Sequence, residues 1–116
     1  SFMQQLTPPA IANALVCEPG IIRWAGPMPA TQQQAVGLCH NIARLLNARQ
    51  GENDWGADRL QVRLVADDFE LLFNVEWLCE AVWLEPVGAS TAHISKADML
   101  QNVQLILRQA LEQADL

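Results

Sequence analysis

Between Arg59 and Pro86 the chain reads RLQVRLVADDFELLFNVEWLCEAVWLEP, and this stretch limits the choice of fold more than any other. Leu60, Val62 and Leu64 alternate with Arg59, Gln61 and Arg63. Phe69, Leu71, Phe73 and Val75 then alternate with Glu70, Leu72, Asn74 and Glu76. Period two with branched and aromatic side chains is the pattern of a strand buried on one face. Asp67-Asp68 supplies a two-residue turn, because Asp tolerates turn geometry and bonds its own backbone. That turn pairs Ala66 with Phe69, Leu64 with Leu71, Val62 with Phe73 and Leu60 with Val75. Every pair is apolar, and a slip of one residue would turn them all to the wrong face. A second turn at Trp77 to Glu80 sets Val75 opposite Val82 and Phe73 opposite Leu84. The stretch is therefore expected to form three antiparallel strands.

The same register lays out the opposite face. Arg59 lies opposite Glu76, and Glu76 opposite Ala81. Gln61, Asn74 and Trp83 share the next row, then Arg63, Leu72 and Glu85, then Val65 and Glu70. A solvated face accounts for the charges, and an Arg59–Glu76 pair would add about 0.2–1 kcal/mol. It does not account for Trp83 and Leu72 among them. The candidate binding residues are accordingly Arg59, Arg63, Leu72, Asn74, Glu76, Trp83 and Glu85.

Two segments read as amphipathic helices. From Thr31 to Gln50, Ala35, Leu38, Cys39, Ile42, Leu45 and Leu46 fall on one stripe. Thr31 and Gln34 stand in the capping-box spacing, and Gly51 is the expected stop. The second helix opens at Ser95 with Asp98 three residues on and runs to about Ala114. Ala97, Leu100, Val103, Leu107, Ala110, Leu111 and Ala114 form its apolar side, with Met99 and Ile106 on the flanks. Residues 3–13, with Pro8-Pro9, are expected to be a stiff non-helical lead-in, although proline can open a short helix after it. Glu18-Pro19-Gly20 suggests a hairpin, or one edge strand at about 20–25. Gly26-Pro27-Met28-Pro29 reads as a rigid connector, 51–58 as a polar loop anchored by Trp55, and Val87 to Ala92 as a small-residue link. The expected fold is a single α+β domain over 1–116, with residues 1–2 as a tag remnant. Its order is (β)β-α-β-β-β-α, a two-layer sandwich with both helices on the Leu60/Val62/Phe73 face.

Composition and motifs bound the chemistry. A 51% hydrophobic and 17% charged chain of 116 residues is large enough for a core. A net charge of −6 with seven Lys and Arg provides no basic stripe for nucleic acid and disfavours anionic membranes. Cys17, Cys39 and Cys79 are far apart and odd in number, which fits free thiols in a cytoplasmic protein. Cys39 sits on the first helix's core stripe. Cys79 lies beside Glu76 and Glu80, which oppose thiolate formation. His40 and His93 stand alone on polar surface. No phosphate-binding, nucleophile-elbow or metal spacing occurs, so no cofactor, metal or catalytic residue is assigned.

The segments DWGADRLQVRL, FELLFNVEW and AVWLEP resemble a group of small proteobacterial proteins of unknown function, in which a Gly-Ala-Asp-Arg start and a Trp-Leu-Glu ending recur. The resemblance spans Asp54 to Pro86, about a quarter of the chain, and implies no activity. Size, acidity and helix–meander–helix order are also those of small acidic secretion chaperones, a likeness of class without a motif. The leading expectation is a non-catalytic cytoplasmic module that binds a protein partner or a second copy of itself through the open sheet face. The alternative is a small enzyme or ligand-binding domain that uses Arg59, Arg63, Glu70 and Glu76, or a pocket near Trp55.

Overall fold

A computed structural model describes residues 7–88 and 93–114. The supposed tag remnant, the first part of the lead-in and most of the 87–92 link lie outside the described residues, as does the side chain of Ala114. The elements are α1 (Pro8–Ala14), β1 (Leu15–Glu18), β2 (Ile21–Trp24), α2 (Gln32–Leu45), β3 (Arg49–Trp55), β4 (Arg59–Ala66), β5 (Phe69–Glu76), β6 (Ala81–Pro86) and α3 (Lys96–Ala114). The strands form one six-stranded antiparallel sheet in the order β1-β2-β6-β5-β4-β3. This is an α+β fold, as expected, with one more helix and one more strand than the alternation indicates.

The meander forms in the expected register. Leu60 faces Val75, Val62 faces Phe73 and Leu64 faces Leu71, while Phe73 and Val75 meet Leu84 and Val82 on β6. These side chains are at most 3% exposed and make up the sheet's half of the core. The helices supply the other half. Ala35, Leu38, Cys39, Ile42 and Leu46 come from α2 and its cap, and Met99, Val103 and Leu107 from α3. On α3 the buried stripe is thus centred on Met99 and Val103, while Leu111 is left exposed. Both caps form: Thr31 Oγ1 accepts from Gln34 N at 3.1 Å, and Ser95 Oγ from Asp98 N at 3.1 Å. Gln34 Oε1 reaches back to Ala30 N at 2.8 Å rather than to the cap residue itself.

Three expectations are corrected. Residues 8–14 are helical, because the first helical positions leave their N–H groups unpaired and so tolerate Pro8 and Pro9. Thr7 caps this helix, its Oγ1 accepting from Ala10 N at 3.3 Å, and Ile11 and Ala12 bury against the other helices. Helix α2 stops at Leu45 instead of continuing to Gln50, with Asn47 in the left-handed region at φ 53° where a glycine was anticipated at 51. The chain can then turn directly into β3. Residues 51–55 of the expected polar loop are consequently strand, and only 56–58 remain a turn. All seven residues of β3 are exposed, so no face carries the apolar alternation that would reveal it. The Pro19-Gly20 turn does close a hairpin, Gly20 adopting φ 84°. Its second strand is internal, however, because β2 pairs with β6.

Between β2 and α2 the connector is built around two indoles. Trp24 Nε1 donates to Pro27 O and Trp77 Nε1 to Pro29 O, each at 2.9 Å. Gly26 is required here, since a Cβ would lie 2.3 Å from the Trp24 ring.

Candidate functional site

The sheet face turned away from the helices is assembled row by row from the register. One row crosses all six strands: Val16, Arg23, Trp83, Asn74, Gln61 and Asp54. The N-terminal hairpin therefore extends the sheet beside Trp83 and does not fold over it. Trp83 and Leu72 are half-buried, as are Val16 and Ile21 of the hairpin. The sheet alone brings the two halves together, because β2 and β6 are about sixty residues apart in sequence.

At the centre Asn74 is 1% exposed and fully engaged. Its Oδ1 accepts from Gln61 Nε2 at 2.9 Å, and its Nδ2 donates to Leu72 O at 3.0 Å and Glu85 Oε1 at 3.1 Å. Gln61 Oε1 accepts in turn from Arg59 Nη1 at 2.7 Å. The result is a line of donors running from a guanidinium to a carboxylate. Arginine can only donate and an ionised carboxylate can only accept, so the ends fix which way both amides point. Aligned bonds of this kind polarise one another.

Arg59 is therefore not spent on Glu76, its cross-strand neighbour. Its guanidinium goes to Gln61 and lies 3.9 Å from Asp54 on β3. Strand β3 was not anticipated, so this competitor was not visible in the sequence. Glu76 instead bonds the Cys79 thiol and, through this bond and its charge, raises the thiol pKa above its usual value. Arg63 pairs diagonally with Glu70, whose side chain is 3% exposed. A second pair, Arg23–Glu18 at 3.0 Å, comes from the hairpin. Alternation along β1 and β2 places Glu18 on this same face.

The arrangement is a surface, with its polar groups turned to one another. A depression of about 740 Å³ lies elsewhere, between the β4–β5 turn, the end of α2 and α3, and none of the seven candidate residues lines it. Arg59 and Glu76 do border a smaller depression of about 270 Å³ with Leu78 and Cys79. Among the described residues no group of three or more His, Cys, Asp or Glu side chains is placed to hold a metal. No helix among them is long and apolar enough to cross a membrane.

Trp55, Trp77, Arg23 and Glu18 acquire positions that the sequence did not assign. Trp55 ends β3 and stacks on Trp77, with ring centroids 6.5 Å apart and planes at 13°. Their shared signal, a tryptophan in each of two consecutive turns at one end of the meander, needs β3 to be known as a strand.

Comparison with curated proteins gives no match, and comparison with solved structures gives none. A family model described as "Protein of unknown function (DUF3630)" matches residues 19–105, about three quarters of the chain, from the hairpin turn to the middle of α3. The chain therefore belongs to the DUF3630 family of proteins of unknown function.

Proposed function

We propose that this protein is a non-catalytic binding module that self-associates through the open face of its sheet. The observation that carries this reading is the position of Trp83 and Leu72. They lie in the middle of a six-stranded sheet, on the face that the helices leave free, and Val16 and Ile21 extend the apolar surface toward β1. A large indole on such a face contributes to stability only if something packs on it.

A second copy fits the charge pattern. Arg23, Arg59 and Arg63 share the face with Glu18, Glu76 and Glu85, so the face carries no single-sign charge that would repel a second copy. Light scattering across a concentration series tests the proposal. The wild-type chain should be dimeric at high micromolar concentration and Trp83→Ala monomeric, with unchanged circular dichroism. A wild-type chain that stays strictly monomeric would count against self-association.

A further inference from the structure

A second surface lies at the end of the sheet where the β3–β4 and β5–β6 turns meet, and Trp83 does not line it. Trp77 is fixed there by three contacts. Its indole N–H donates to Pro29 O, its backbone N–H donates to Asp58 O at 2.9 Å, and Trp55 stacks on its ring. Trp55 keeps 39% of its surface exposed and Leu78 keeps 82%. Beside the pair is a depression of about 230 Å³ lined by Trp77, Asp58, Gln32 and the backbone around Gly56. It adjoins the 270 Å³ depression, with Ala57 and Asp58 common to both.

The chemistry of this end is aromatic and acidic. Asp58 lines the depression and Glu80 lies on the neighbouring β5–β6 turn. The nearby cation is Arg59, whose guanidinium is already held by Gln61 and Asp54. We infer that the Trp77/Asp58 depression receives an arginine side chain from a basic segment of a partner protein. A guanidinium is planar and weakly hydrated, so it stacks on an indole while its edge donates to a carboxylate and an amide oxygen. Trp77, Asp58 and Gln32 supply those three groups. A lysine ammonium would satisfy the charge but not the stacking plane. Because the indoles are preset, little side-chain entropy is lost on binding.

Titration of the full chain with an acetylated tri-arginine amide, followed by the indole N–H signals in NMR, tests the assignment. Matched tri-lysine and tri-citrulline peptides serve as controls for charge and for planarity. The arginine peptide should shift the Trp55 and Trp77 signals and bind at least about fivefold more tightly than the lysine peptide, and citrulline should not bind. Asp58→Asn keeps the backbone carbonyl that holds Trp77 and should weaken binding about tenfold. Trp83→Ala should leave binding unchanged, which separates this site from the self-association surface. Equal affinity for arginine and lysine peptides, or binding indifferent to Asp58→Asn, would reduce the effect to general attraction by a chain of net charge −6 and overturn the assignment.

Discussion

Asn74 shows what a single residue contributes here. In the sequence it is one polar position in an alternating strand. In the fold it is a fully enclosed amide that satisfies Gln61, Glu85 and a backbone carbonyl together. Asn74→Ala removes the middle of the relay and leaves half-buried partners unpaired, so urea denaturation should show a loss of about 1–2 kcal/mol. The thiols differ just as sharply. Burial pushes Cys39 up to about 12, against 9.0 for a free thiol. Its folded pKa exceeds its unfolded one, so its contribution to stability is whole below about pH 9 and is lost as pH rises toward 12. The expected loss is up to about 1.4 kcal/mol per pH unit in that window, and Cys39→Ala should flatten it in an alkaline melting series. Cys79 is exposed, and Glu76 is the cause of its raised pKa. Glu76→Gln should move its alkylation midpoint to lower pH, as mass spectrometry of the labelled peptide would report.

At the scale of elements, start signals proved more legible than stop signals. Thr31 and Ser95 cap the helices they were assigned, because an N-cap is a local bond between a hydroxyl and an N–H three residues on. Thr31→Ala should cost about 1 kcal/mol in thermal or chemical unfolding. The end of α2 was misplaced because Asn47 takes the left-handed conformation that glycine usually takes. Strand β3 escaped notice for a related reason. It is an edge strand, polar on both faces, with a register shift between Gln50 and Asn53. Charge and irregularity of this kind keep an edge from pairing with other chains, and they also erase the alternation by which strands are read. The short β1 closes the other edge with four residues. Association through the face, rather than by strand addition, is consistent with two edges so defended.

For the whole molecule the useful contrast is between Phe73 and Trp83, two large aromatics on opposite faces of adjacent strands. Phe73 is fully buried between sheet and helices, and Phe73→Ala should cost about 3–5 kcal/mol at any protein concentration. Trp83 is half-buried, and on the proposed reading its remaining surface is covered by a second copy. Linkage then makes the melting temperature of the wild type rise with protein concentration, and this dependence should vanish in Trp83→Ala. Calorimetry at two concentrations a hundredfold apart measures both effects.

The pairings from Arg59 to Pro86 were determined by the sequence itself. Turn length and side-chain period fix register locally, and eight cross-strand pairs between β4 and β5 follow from them. Which residues share the open face within the meander was fixed by the same rule. Only the tertiary structure decided that β2 lies against β6, which sets Arg23 beside Trp83, and that β3 brings Asp54 to Arg59 and Trp55 to Trp77. These contacts join segments whose own patterns are short or uniformly polar. Their place follows from which sheet edge remains unpaired once the meander and the helices have packed, a property of the assembled chain that no local period records.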